Sequence, residues 1–372
     1  MRTEHLETVV IGAGQAGLAT GYHLQRLGRP FVILDSEQRV GDGWRHQWDS
    51  LRLFSPAWAD GLPGLPNPAP RWTYPSKDEF ADYLEAYAAR FSLPVRLGQR
   101  VARLIRGEGG GYVVDTQDTR YEAANVVVAT GTFGRTPLVP AFADQLDPGI
   151  RQLHSSEYRR PEHLAEGPVL VVGASHSGCD IAYEVAATHP TVLAGRDTGQ
   201  IPVRFESPLM KLLFPTLLFA FGHVLTRRTP LGRKEMNEVR RHGGPRLRVQ
   251  RADLEARGVD WVQERVVGVV EGRPALAGGR VVDAATVIWC TGFSQVYDWV
   301  DLPVIGDDGW PRELRGVVAD APGLYFCGLA FQFSQQSMLI HGAGRDAAFV
   351  AHHIAHRAER SAPRTAATVP AA

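Results

Sequence analysis

The chain has 372 residues, enough for two domains with sizeable cores, and its 40 basic and 40 acidic side chains cancel. A neutral total gives no reason to expect nucleic acid or an anionic membrane as partner. Cys179, Cys290 and Cys327 are isolated, with no CxxC pair and no metal-ligand spacing, which excludes a redox dithiol, predicts no metal and fits a reduced cytoplasm.

In chain order, residues 8–11 form an apolar run that predicts a buried strand, after a charged start without a secretory signal pattern. The turn Gly12-Ala13-Gly14-Gln15-Ala16-Gly17 follows, and Ala16, Thr20, Leu24 and Leu27 recur at helical spacing up to Gly28. Residues 31–34 predict the returning strand that delivers Asp35 and Ser36. Glycines are needed in such a turn because the backbone must reverse tightly and approach a pyrophosphate seated on the helix N-terminus. β-rich stretches at 101–105, beginning with Val101, and at 112–114 precede a strand ending in Ala129-Thr130-Gly131.

The pattern then returns. Residues 169–172 lead into Gly173-Ala174-Ser175-His176-Ser177-Gly178, a helix is predicted over 181–187, and 191–195 deliver Arg196. Between the second helix and the next β-rich stretches lies an apolar segment, 209–225, interrupted by Lys211, Pro215 and His223. It is too short and too broken for a membrane span, and reads as a helical pair over a cleft, with membrane-surface docking as the alternative. β-rich stretches at 262–270 and 281–282 precede a strand ending in Cys290-Thr291-Gly292, followed by Phe293. The tail, 361–372, lacks apolar periodicity and is expected to be flexible.

Gly178 minus Gly17 and Gly292 minus Gly131 both give 161, which points to a duplicated nucleotide-binding unit. Asp35 and Arg196 each fall eighteen residues after the last glycine of their turn, the position that meets an adenosine ribose. A carboxylate accepts a hydrogen bond from a free 2′-hydroxyl, whereas a guanidinium neutralises a 2′-phosphate. FAD is therefore expected in the first unit and NADPH in the second, with Asp197 beside Arg196 leaving NADH open.

Five further segments carry a family resemblance. They are Val40-Gly41-Asp42-Gly43-Trp44-Arg45, residues 51–56 with Phe54, Tyr74-Pro75-Ser76-Lys77, His154-Ser155-Ser156-Glu157-Tyr158, and the 323–328 run ending in Phe326-Cys327-Gly328. In this order they resemble stretches of class B flavin monooxygenases, the group of the flavin-containing monooxygenases and the plant YUCCA enzymes. The resemblance runs from Val9 to about Ile354 and is nearest the short bacterial members. It implies an α/β fold of two Rossmann-like domains, an FAD-binding domain (1–162 and 293–360) with an NAD(P)-binding domain (163–292) inserted. It also implies oxygen activation as a flavin C4a-hydroperoxide, with Trp44 and Arg45 flanking the flavin. Gly328, Leu329 and a helical stretch over 337–356, with Gly342 and Gly344, resemble the element that presents backbone amides to it. Candidate pocket walls are Trp44, Trp48, Phe54, Phe331 and Phe333, with Gln332, Gln335 and Gln336 beside them, ordinary core packing being the alternative for each aromatic ring.

The chain departs from the family twice. The pattern F-x-G-x-x-x-H ends at His154, but Pro148 and Ile150 hold its phenylalanine and glycine positions; His154 with Tyr158 reads as a brace between domains. Phe54 falls near where many members carry an amide, and an aromatic ring cannot donate that hydrogen bond. Phe54 and His154 are the candidate catalytic residues. The expected activity is NADPH-driven oxygenation, by O2, of nitrogen or sulfur in a small molecule. Oxidative decarboxylation of an aryl α-keto acid, and flavin reduction without oxygen insertion, are the alternatives; a homodimer is left open.

Overall fold

The computed structural model describes residues 1–132 and 136–361, so the tail expected to be flexible lies outside the described residues apart from Ser361, which ends a helix. The first apolar run becomes the inner half of β1 (Arg2–Ile11), where Thr8, Val9 and Val10 are fully buried between neighbouring strands and covering layers. α1 (Gln15–Arg26) returns the chain to β2 (Phe31–Leu34), parallel to β1. A single turn, α2 (Asp42–Arg45), precedes α3 (Lys77–Arg90), which starts in a capping box between Ser76 and Glu79. β3 (Val95–Arg96), β4 (Arg103–Arg106), β5 (Tyr112–Asp115) and β6 (Thr119–Val128) bring the first sheet to the order β3-β2-β1-β6-β5-β4.

The chain then crosses at β7 (Thr136–Pro137) to a second sheet. β8 (Arg151–His154), β9 (Val169–Val172), α4 (His176–Val185) and β10 (Thr191–Ala194) precede three helices, α5 (Pro208–His223), α6 (Pro230–Arg241) and α7 (Arg251–Ala256). β11 (Asp260–Val262), an antiparallel ribbon of β12 (Val266–Val270) with β13 (Arg273–Leu276), and β14 (Thr286–Trp289) follow. The second sheet is parallel throughout, in the order β11-β10-β9-β14-β8. The chain recrosses at β15 (Phe293–Ser294), antiparallel to β7, and ends with β16 (Leu324–Phe326) and α8 (Ile340–Ser361), whose Ala347, Val350 and Ile354 share a core with α1.

β16 pairs with the inner half of β6, so the first sheet contains the path β3-β2-β1-β6-β16, the strand order of the second sheet. The repeat holds residue by residue in the central pair: Ile11 faces Val128, and Val172 faces Trp289, each position 161 further on. It slips at the returning strand. Ile11 faces Leu34, whereas Val172 faces Ala194, so Gly195 and not Arg196 stands where Asp35 stands, and Arg196 matches Ser36. The cause is local: α4 has ten residues against twelve in α1, and a connection longer by one restores only half of the difference.

Upstream of residue 163, β8 already pairs with β14, and Ala143 and Leu146 pack on Leu170, Val172 and Trp289. Helices and loops cover each face of both sheets in separate apolar clusters, with a fifth cluster under α5 built on Phe205, Met210, Phe214 and Leu218.

Candidate functional site

The three glycines of the first turn have different physical reasons. Gly12 sits at φ +108°, and a Cβ there would lie 2.6 Å from the Ala129 carbonyl oxygen; a Cβ on Gly17 would strike the Gly12 carbonyl. Gly14 has nothing within 4 Å of its would-be Cβ. The fold itself requires Gly12 and Gly17, whereas the space at Gly14 is free for a ligand. α1 opens there with no side-chain cap and no acidic residue in its first turn, leaving N–H donors directed at that space. The Asp35 carboxylate accepts the N–H of Ala13 at 2.5 Å and of Glu37 at 2.8 Å, with Ser36 between them.

Around this turn, a Cβ on Gly328 would come within 2.7 Å of Ala16, and the Thr132 hydroxyl accepts the Ala330 N–H at 2.7 Å, which fixes Gly328 and the buried Leu329 against the turn. Thr130 and Gly131 continue directly from β6, and Gly131 has open space beside it. Trp44 Nε1 lies 3.5 Å from Gln15 Oε1, and its ring meets Phe80 edge-on at 5.0 Å. The exposed Gly43 precedes it. Arg45 is held by Asp82 at 2.7 Å, the Val40 carbonyl at 2.7 Å and Asp42 at 3.2 Å. Val101 packs against the apolar cluster that holds Ile11, Leu34 and Val128, two residues after Gln99, whose N–H donates to the Asp35 carbonyl at 2.7 Å.

In the second turn, Gly173 again has φ +108° and backs onto the Cys290 carbonyl, and a Cβ on Gly178 would strike Gly173. Its middle position differs. The Ser175 hydroxyl donates to the Gly244 carbonyl at 2.8 Å, and the His176 ring, from which Gly244 is separated by a would-be Cβ distance of 2.9 Å, sits against Pro245. Asp180, one turn on, accepts the Val249 N–H, and burial pushes its carboxyl up to about 7. Segment 243–249 therefore lies along α4 and covers the second glycine turn with its Ser177 amide end. His176 is buried there, which pushes its pKa down, and its Nε2 has no partner in the described residues.

Arg196 is exposed and unpaired among the described residues, whereas Asp197 accepts Arg246 at 2.6 Å and faces Arg251 at 3.7 Å. Both guanidiniums stack on Trp261, at 4.6 and 5.2 Å. Sequence reasoning missed Arg246, Arg251 and Trp261, because they come from the end of the helical insertion and the strand that follows it; the one signal was their clustering within sixteen residues up to β11.

At the second turn the ring centroid of Phe54, from the segment between α2 and α3, lies 5.5 Å from that of His176. Behind Phe54 the Ser55 hydroxyl donates to Asp60, a carboxyl with no exposed surface that burial pushes up to about 8. His154 is buried at the end of β8, with Nε2 3.0 Å from the Gly292 carbonyl, Nδ1 2.9 Å from Ser156 Oγ, and its ring edge-on to Phe293 at 4.9 Å. Burial lowers its pKa, and both nitrogens are engaged, so its geometry is that of a tie rather than a free acid or base. Thr291 donates to the Leu138 carbonyl in the same crossing.

Two candidate walls are corrected. Trp48 is a core residue packed with Tyr158 and Val169, and Phe331 is fully buried, so neither faces a cleft. A cleft of about 420 Å³ is instead lined by Trp58, Pro215, Leu218, Phe219, His223, Gln336, His341 and Arg345. A second hollow, of about 550 Å³ beside Ala102 and Trp299, has no lining residue from either glycine turn. Glu37, Asp42 and His46 place three side-chain oxygen or nitrogen atoms within 4.8 Å of one another, an arrangement common without a metal.

The sequence model of the pyridine nucleotide-disulphide oxidoreductases matches residues 9–215. An oxidoreductase named CzcO-like from Geobacillus kaustophilus is 36% identical over 94% of this chain and 98% of its own length. A probable indole-3-pyruvate monooxygenase, YUCCA3 of Arabidopsis thaliana, is 29% identical over 94% of this chain and 86% of its own. Among solved structures, a flavin-containing monooxygenase from Stenotrophomonas maltophilia superposes with a TM-score of 0.75 at 28% identity, over 96% of this chain and all of that one. The chain belongs to the pyridine nucleotide-disulphide oxidoreductase family, within its branch of flavin monooxygenases that work with FAD and NADPH.

Proposed function

We propose that the protein uses NADPH and FAD to insert one atom of O2 into a nitrogen or sulfur centre of a small molecule, the other atom leaving as water. The observation that carries this reading is the pair of matching glycine turns, each between a central parallel strand and its helix, with Phe54 set against His176 at the start of the second helix. In this reading each sheet is a Rossmann-like nucleotide-binding domain. The open space at Gly14 and the uncapped start of α1 receive the FAD pyrophosphate, and Asp35 with Ser36 receives its ribose. Gln15, Trp44, Gly131, Gly328 and Leu329 border the flavin. The second turn receives the nicotinamide dinucleotide once segment 243–249 lifts from Ser175, with Arg196 and the Arg246–Arg251 pair available to a 2′-phosphate.

Bound FAD supplies the two-electron chemistry of oxygen, and the protein's share is orientation and exclusion of water. Phe54 brings no hydrogen-bonding atom to the junction, so it serves as an apolar wall, and His154 fixes the crossing behind it through Gly292. A second reading, oxidative decarboxylation of an aryl α-keto acid, draws on the cleft that sets the rings of Trp58 and Phe219 beside Arg345 and His341.

NADPH-driven O2 uptake by the yellow protein, with product analysis over amines, sulfides and aryl α-keto acids, tests both. One oxygenated product per NADPH with an amine or sulfide supports the first reading, and CO2 release from the keto acid supports the second. Quantitative hydrogen peroxide with every substrate defeats both.

A further inference from the structure

α5 has two apolar faces, and the protein uses only one. Its inner face, Met210, Phe214, Leu218 and Gly222 at spacings of four, is buried on Trp58, Ala59 and Phe205. Its outer face carries Leu209, Leu212, Leu213 and Phe219, exposed by 52%, 74%, 37% and 59%. Val224 and Leu231 extend this stripe toward α6 at 45% and 56%. Six of the exposed large apolar side chains among the described residues thus fall within 209–231.

The charge on this stretch is one-sided. Residues 208–234 contain Lys211, Arg227, Arg228, Arg233 and Lys234 and no aspartate or glutamate. Arg227 is committed to Glu313, but the other four are exposed, and Leu231 and Lys234 lie three residues apart at the start of α6, just after Arg228. The zero net charge of the whole chain conceals this local excess.

We infer that this face docks on the surface of an anionic lipid bilayer. α5 cannot span one: sixteen helical residues reach about 24 Å, short of the ~30 Å hydrocarbon core, and its inner face is already committed to the protein. An apolar stripe flanked by cations is the pattern that rests in the headgroup layer, side chains down and charges against phosphates. A second copy is the poorer occupant, since twofold pairing of the same patch sets four cations against four. Phe219 and His223 also line the 420 Å³ cleft, so docking turns its mouth toward the acyl chains. On the function proposed above, that favours lipophilic substrates.

The test is co-sedimentation of the FAD-loaded full-length protein with vesicles of phosphatidylglycerol and phosphatidylcholine in equal parts, against phosphatidylcholine alone, at low and high salt. Expected are binding to the mixed vesicles and at least about tenfold weaker binding to the neutral ones or in high salt. Leu212→Glu, and separately Arg228→Glu with Lys234→Glu, should each lower binding to mixed vesicles about tenfold with flavin content and circular dichroism unchanged. Absence of binding to mixed vesicles overturns the inference, as does binding that Leu212→Glu leaves intact. A dimer in sedimentation velocity that Leu212→Glu dissociates also overturns it, by assigning the face to a second copy. Because lipid binding is read without turnover, the result stands apart from the assignment of the oxygenation reaction.

Discussion

Asp60 has no exposed surface and one hydrogen-bond donor, the Ser55 hydroxyl, so burial raises its carboxyl from 3.8 to about 8. Between those values the folded chain holds a proton that the unfolded chain has released. Stability from this group is therefore fullest at acid pH and declines as the pH rises through about 8. Asp60→Asn should remove that decline: thermal melts from about pH 5 to about pH 9 should show the parent falling relative to the variant. Parallel curves would mean that Asp60 does not titrate in this window. At the other end of the site, Arg196→Ala should weaken NADPH binding about tenfold or more while changing NADH little, read by titration of the flavin-free protein. Equal losses would remove Arg196 from the 2′-phosphate. Arg196 was legible from sequence, but Arg246 was not, since its ion pair with Asp197 and its stacking on Trp261 depend on how the segment 198–245 folds back.

At the scale of the element, the first glycine turn separates folding from binding. Gly14→Ala adds a methyl into empty space, and should leave the melting temperature near that of the parent while lowering the ratio of flavin to protein absorbance about tenfold or more at limiting FAD. Gly17→Ala drives a methyl into the Gly12 carbonyl, and should destabilise by about 1–3 kcal/mol whether or not FAD is present. If Gly14→Ala retains full flavin, the open space is not where the pyrophosphate lies. Strand, turn and helix were readable here because apolar runs and glycines act over a few neighbours. The one-residue slip that puts Gly195 at the position equivalent to Asp35 was not, because it depends on how α4 ends and not on the count from Gly178. Trp48 and Phe331 looked like cleft walls for the same reason: aromatic type predicts burial but not which side of a layer does the burying.

For the molecule as a whole, the helical insertion is latched to the first sheet's domain by Glu313. Its fully buried carboxylate accepts Arg227 at 2.5 Å and faces Arg240 at 3.7 Å, Arg240 lying over Trp310 at 4.3 Å. Glu313→Gln leaves two guanidiniums without a counter-charge and should cost about 3 kcal/mol in urea unfolding. A loss below about 0.5 kcal/mol would show the latch to be idle. The two-sheet layout was legible from the 161-residue offset, but the place of β8 was not, because an edge strand is defined by its neighbour and not by its own sequence. The chain passes between the sheets twice, and at β7 and β15 the two passages are zipped together, with the Leu138 N–H donating to the Gly292 carbonyl at 3.0 Å. One tether would act as a swivel. A paired ribbon behaves like a strip of leather, bending easily across its width and resisting torsion, so opening and shutting of the gap at Phe54 should be confined to a single hinge axis.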